Sequence, residues 1–197
     1  MSRVFVISDP HFGHSNIINV PGRLGLFSTP EEHDETLIDN WNSVVSKRDK
    51  VFLLGDVGFD RKGYVTNEVI PRLPGFIHVI GGNHDTAEIL QKFYRSHGVV
   101  TYKHTVLTHI PIHPQEMYWD FNIHGHLHSN VVKKYANGPA EGSLDVIRER
   151  DIRYINVSCE QVGFTPVDLN NLIEENRVRY GEVINKNYPL PLGRNRR

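Results

Sequence analysis

The chain is expected to fold as one α/β domain, and three features of the sequence predict this. Short apolar, β-rich runs alternate with polar and helical stretches, a strongly capped amphipathic helix separates the first two runs, and five successive runs lead directly into Asp, Asn or His. A chain of 197 residues with 39% hydrophobic and 10% aromatic content can bury a sizeable core, and its length favours one unit over two. That unit is placed at residues 1–188, with a frayed tail over 189–197, "PLPLGRNRR".

The elements follow in order. Strands are predicted at "RVFVIS" (3–8), "KVFLL" (50–54), "FIHVI" (76–80), "TVLT" (105–108), "FNIH" (121–124) and "IRYINVS" (152–158), each rich in β-branched or aromatic residues. Between the first two, Thr29 supplies an N-cap, Pro30 the first helical position and Glu32 a capping box. Leu37, Ile38, Trp41, Val44 and Val45 then form one apolar face, completing a βαβ unit. A second helix is predicted after Tyr64 through Val65, Val69 and Ile70, until Pro71 intervenes. A third covers about 86–95 through Ile89, Leu90 and Phe93, and Asp168 caps a fourth carrying Leu169, Leu172 and Ile173. The segment "YANGPAEGS" (135–143) reads as a loop.

Composition excludes several classes. With 22 Lys+Arg against 23 Asp+Glu, the chain has no basic excess for broad capture of duplex nucleic acid. No window is apolar for the roughly 18 residues a membrane helix needs, and a single cysteine, Cys159, fits a buried thiol in a reducing cytoplasm. Twelve histidines stand out, since imidazole is both a common metal ligand and a proton carrier near neutral pH.

Their positions carry the chemistry. The apolar runs are followed by "DPHFGH", "GDVGFD", "GGNHD", "HIPIHP" and "GHLH". In an α/β sheet the loops beyond the carboxyl ends of the strands converge, so residues far apart in sequence meet in one crevice. Taken singly, a strand-end Asp is usually a turn or helix cap, and "GNHD" also suits a turn. Five such ends in one order point to a shared site.

In that order the ends resemble the five blocks of the calcineurin-like metallophosphoesterase family, D-x-H, G-D, G-N-H-D/E, H and G-H-x-H. Here they are Asp9-Pro10-His11, Gly55-Asp56, Gly82-Asn83-His84-Asp85, His109 and Gly125-His126-Leu127-His128. The start "SDPHFGHSNII" is similar to a compact subgroup of small bacterial and phage members with D-x-H-F-G-H. The resemblance implies a four-layer αββα sandwich of two mixed sheets with helices outside. It implies two divalent ions, one surrounded by Asp9, His11, Asp56 and His128, the other by Asp56, Asn83, His109 and His126, with Asp56 bridging. Mixed N and O ligation without thiolate suits Mn, Fe, Ni, Co or Zn, and manganese is the metal the resemblance implies first.

The implied activity is phosphoester hydrolysis by a hydroxide held between the two ions, with His84 as general acid and Asp85 orienting its ring. His14 and Arg61 are candidates for contact with substrate. Many phosphomonoesterases of the superfamily carry an arginine in G-D-x-x-D-R-G; here "GDVGFDRKG" shifts Arg61 by one residue, which favours phosphodiesters, whose single charge needs less of a clamp. The expected substrate is a small or extended phosphoester, such as a nucleotide or single-stranded nucleic acid, with no membrane partner. A phosphomonoesterase or dinucleoside-polyphosphate hydrolase on the same centre, and a non-catalytic scaffold, are the alternatives. Of the other histidines, His124 shares a strand face with His126, His113 lines the loop after His109, and His33, His78, His97 and His104 are expected to be ordinary surface or core residues.

Overall fold

Sheet formation follows the predicted runs. In the computed structural model, which describes residues 2–135 and 148–187, β1 spans Val4–Ile7 and is followed by helix α1, Pro30–Val44. Strands β2 (Lys50–Leu53) and β3 (Phe76–Ile80) come next, then the single helical turn α2 (Ala87–Leu90) and strand β4 (Arg95–His97). The chain continues through β5 (Val100–Tyr102), β6 (Thr105–Leu107), β7 (Phe121–His124), β8 (Lys133–Tyr135), β9 (Arg148–Arg150), β10 (Tyr154–Asn156) and β11 (Val167–Asp168) to helix α3, Leu169–Asn187.

Two mixed sheets result. The first has the order β11-β1-β2-β3-β4, with β1 to β4 parallel and β11 antiparallel; the second has the order β10-β7-β6-β5, with only β5 antiparallel. A separate ribbon pairs β8 with β9. Alternation along the strands splits the first sheet's side chains between two cores. Phe5, Ile7, Val51, Leu53, Ile77 and Val79 pack with Leu37, Ile38 and Trp41 of α1. Val6, Phe52, Leu54 and Ile80 face the other way and meet Leu107, Phe121, Ile123 and Ile155 of the second sheet, joined by Leu169 and Ile173 of α3. A sheet buried on both faces explains why β1, β2 and β3 read as near-continuous apolar runs.

Helix α1 matches its sequence signals closely. Thr29 Oγ1 accepts from Glu32 N at 3.1 Å, Pro30 opens the helix, and Glu32 reaches back to Ser28 N at 2.7 Å. Asp168 Oδ1 caps α3 by accepting from Asn170 N and Asn171 N. One helix expectation holds in altered form and one fails. The segment after Tyr64 is helical, as a wide π-type turn, Val65–Val69, followed by a 3-10 turn, Ile70–Arg72, and Pro71, which has no N–H to donate, lies where it ends. The helix expected over 86–95 stops at Leu90, and Arg95–His97 instead pair with β3 in the register His78↔Arg95, Val79↔Ser96, Ile80↔His97. The open edge of β3 outweighs local helix preference there. Most of the loop expected at 135–143 and all of the tail at 189–197 lie outside the described residues. No helix of the described residues is long and apolar enough to cross a membrane.

Candidate metal centre

The carboxyl ends of β1, β2 and β3 meet those of β6, β7 and β10 at one seam. Ser8 N donates to Val157 O at 2.9 Å and Cys159 N to Ser8 O at 3.0 Å, joining the two sheets just beyond β1 and β10. Leu54 N donates to Ile7 O and Gly125 N to His109 O, so every loop that carries a candidate ligand leaves from this seam. Five of the candidates, Asp9, His11, Asp56, His126 and His128, have left-handed φ between 51° and 67°. Such backbone is uncommon outside glycine and clusters at functional sites, with Asp, Asn and His among the residues that tolerate it best.

These turns gather the side chains into two clusters. Asp9, His11 and His128 offer ligand atoms within 4.8 Å of one another, and so do Asp56, His109 and His126. Asp56 lies between them: its Oδ2 is 3.7 Å from His11 Nε2 and 3.4 Å from His109 Nε2. Asn83 Oδ1 is 3.0 Å from His109 Nε2, which adds it to the second cluster. Two donors bound at about 2.1 Å to one tetrahedral ion sit roughly 3.4 Å apart, so the spacing suits a shared cation better than direct hydrogen bonding alone.

The protonation pattern fits the same use. Burial lowers His11 to about 3, which keeps its imidazole neutral, the form a metal requires. Burial alone would raise Asp56, but hydrogen bonds and charge from His109, His84 N–H and His11 hold it at about 2. Burial also opposes protonation of His109, yet the adjoining Asp56 carboxylate raises it, so a proton there is held where a cation would serve. Asp9 is fully buried and raised by that burial, which leaves a carboxylate in need of positive charge. His109 Nδ1 is fixed by Leu54 O at 2.7 Å and His128 Nδ1 by Glu160 Oε1 at 2.9 Å, which frees both Nε2 atoms for ligation. The donor set therefore fits two divalent ions.

Glycines make the crowding possible. A methyl group on Gly125 would overlap Ser8 Oγ and Asp9 Oδ2, and one on Gly82 would overlap Asp56 N and Oδ1. Gly125→Ala is therefore expected to displace Asp9 and lower stability by about 1–3 kcal/mol, read from denaturant unfolding of the metal-free protein. A change below about 0.5 kcal/mol would show that the loop has room to shift.

His84 lies beside the clusters on the exposed side, its ring 5.6 Å from that of His11 and 5.5 Å from that of Phe59. Asp85 departs from its expected role. Both of its oxygens accept backbone N–H groups, from Gly82 and Asp56 on Oδ2 and from Val57 on Oδ1, so it pins the loop after β2 instead of orienting the His84 ring. His84 N–H in turn donates to Asp56 Oδ1 at 2.9 Å. His14 is near the mouth, 6.1 Å from the His11 ring, with Nδ1 accepting from Asn16 N. Arg61 sits in an exposed 3-10 turn, Arg61–Gly63, where its charge acts on the His14 ring, and it makes no hydrogen bond or ion pair among the described residues. His124 is fully buried with Nδ1 on Gly125 O, His113 caps the turn Pro114–Glu116, and neither enters the clusters.

Sequence reasoning missed what lies behind the site. Arg23 is fully buried; its guanidinium donates to Asp9 O at 2.6 Å, Pro10 O at 3.1 Å, His33 Nε2 at 2.7 Å and Glu160 Oε1 at 2.6 Å. His33 Nδ1 faces Asp34 Oδ1, and Asp34 Oδ2 accepts from Gly13 N, so the start of α1 is tied to the "DPHFGH" loop. Phe59, which stacks on His11 and meets His14 edge-on at 4.7 Å, was also missed. The signal for Arg23 and His33 was slight, a lone arginine in a turn and one histidine on a helix.

No family model matches the chain. It is similar to the gene 66 proteins of Mycobacterium phage L5, at 37% identity over 90 residues covering 43% of this chain and 41% of that protein, and of phage D29, at 26% over 183 residues covering 72% and 86%. The fold is similar to the crystal structure of AQ665 from Aquifex aeolicus, with a TM-score of 0.63 at 24% identity, covering 89% of this chain and 100% of that one. The uncharacterized protein MJ1445 of Methanocaldococcus jannaschii is 36% identical over 186 residues, covering 90% of this chain and 95% of that protein, and the chain belongs to its family.

Proposed function

We propose that the protein is a two-metal phosphoesterase of the calcineurin-like kind, with a four-layer αββα sandwich, acting on phosphodiesters. The observation that carries this reading is the Asp56 carboxylate, which belongs to the Asp56, His109 and His126 cluster and reaches to 3.7 Å from His11 of the Asp9, His11 and His128 cluster. Asp9, His11, Asp56 and His128 would hold one ion, and Asp56, Asn83, His109 and His126 the other. When bound, two such ions supply a nucleophile at neutral pH and stabilise the attacking and leaving oxygens of an in-line displacement.

The chain's own groups do the rest. The His84 ring stands on the open side, where it can hold a proton for the departing oxygen, and its backbone is fixed by the same Asp56 that the clusters share. Phe59 packs against His11, His14 and His84 and keeps water from one flank of these rings. Arg61, in an exposed turn and without a hydrogen bond or ion pair among the described residues, offers no formed clamp for a phosphate dianion, which favours diesters.

Manganese-loaded protein is expected to hydrolyse bis-nitrophenyl phosphate faster than the mono-ester. Preference for the mono-ester would sink the diester assignment, and no turnover of any phosphoester would favour a scaffold. His84→Ala is expected to keep both metals while slowing turnover about 10²–10⁴-fold, less for esters with good leaving groups. Metal loss in that variant would make His84 a ligand instead of a proton donor.

A further inference from the structure

The two clusters differ in what stands behind their imidazoles. His128 Nδ1 lies 2.9 Å from Glu160 Oε1, and that same oxygen accepts from Arg23 Nε at 2.6 Å. Arg23 also donates to Asp9 O and Pro10 O, the backbone that carries Asp9 and positions His11. The whole Asp9, His11 and His128 cluster is thus tied to one buried Arg23–Glu160 pair, each side chain at most 3% exposed. The other oxygen of Glu160 is buried and accepts no hydrogen bond among the described residues, so Arg23 and His128 are the groups that share its charge there.

Among the described residues, no carboxylate of this kind stands behind the second cluster. His109 Nδ1 faces the neutral carbonyl of Leu54 at 2.7 Å, and His126 is placed by its backbone N–H on Asp9 and by an edge-on contact with the His109 ring. A carbonyl fixes the tautomer of a ligating imidazole. A carboxylate fixes the tautomer and also increases the ring's donor strength, and Arg23 holds that carboxylate in place from the far side.

We propose that Glu160 is a positioning residue that makes the two metal positions unequal, so that a divalent cation fills the Asp9, His11 and His128 position first and more tightly. This rests on the two-metal reading of the site but not on the diester assignment. Arg23 and Glu160 are 137 positions apart in the chain, so this preference is built by the fold and not by any local motif.

The test is calorimetric titration of chelator-stripped, full-length protein with Mn²⁺ alone. Wild type is expected to bind two equivalents in two affinity classes. Glu160→Gln is expected to weaken the tighter class about 10–100-fold and leave the weaker one unchanged, while Asn83→Ala weakens only the second class. Glu160→Asp keeps the counter-charge to Arg23 but falls one methylene short of His128, and the same one-sided loss is expected there, which decides the matter if Glu160→Gln does not fold. Two equal classes in wild type would overturn the proposal, as would loss in both classes or in neither class in the Glu160 variants. Absence of any Mn²⁺ binding by wild type would remove the two-metal reading itself, an outcome distinct from the other three.

Discussion

Asp56→Asn protein is expected to fold and to carry neither metal ion. Asp56 is buried, and its Oδ2 faces an imidazole of each cluster, 3.7 Å from His11 Nε2 and 3.4 Å from His109 Nε2. Its other oxygen accepts from His84 N–H, a bond an asparagine carbonyl can keep. Asparagine also tolerates the left-handed φ of 51° at this position, so the backbone has no reason to rearrange. What changes is the atom facing the two rings. A neutral NH2 donor replaces an anionic oxygen, removing one negative charge and presenting hydrogens where cations would sit. Because both positions share this group, affinity at each should fall by at least about 100-fold, above the upper end of what a residue behind a ligand costs. Metal content by elemental analysis after gel filtration checks this, with circular dichroism as the folding control. Near-stoichiometric metal in a folded variant would remove Asp56 from the bridging role. Loss of a single equivalent would assign it to one position only.

The ligand candidates were legible because the physics that forms them is local. An apolar run announces a strand, and the polar residue that ends it must lie at the sheet's edge, so Asp9, Asp56, Asn83, His109 and His126 could be placed before any contact was known. That five separate ends converge follows from β1, β2 and β3 running parallel in one sheet and β6, β7 and β10 in the other. Asp85 was misread for the opposite reason. Adjacency to His84 suggested a partnership, but the carboxylate turns back to collect three N–H groups from Gly82, Asp56 and Val57. The strand Arg95–His97 was hidden because its residues suit a helix locally, and only the vacant edge of β3 gives them a reason to extend. Arg23 was hidden most deeply. In "PGRLGLF" it reads as a surface turn residue, and its partners Asp9, His33 and Glu160 come from three other parts of the chain.

That buried arginine should dominate the stability of the metal-free protein. Arg23→Met is expected to lower unfolding free energy by about 3–5 kcal/mol, because removing one member of a buried ionic network leaves the others desolvated and unpaired. The substitution keeps most of the side-chain volume, so the loss would be electrostatic and not a cavity effect. It strips a donor from Asp9 O and Pro10 O, and leaves the Glu160 carboxylate, 3% exposed, with His128 as its sole remaining partner among the described residues. The dependence on pH separates this account from simple misfolding. Burial alone would raise Glu160, but His128 and Arg23 together hold it at about 2, below the usual carboxylate value of 4.5. A group depressed in this way contributes stability that is fully present above about pH 4.5 and is lost as pH falls towards 2. Without Arg23 that depression shrinks, so the deficit of Arg23→Met relative to wild type should be greatest near neutrality and should narrow between pH 4.5 and pH 2. Chemical denaturation of both chelated proteins across this range measures it. A deficit that is constant with pH would mean that the Asp9 and Pro10 carbonyls, and not the Glu160 charge, account for the requirement for arginine at this position.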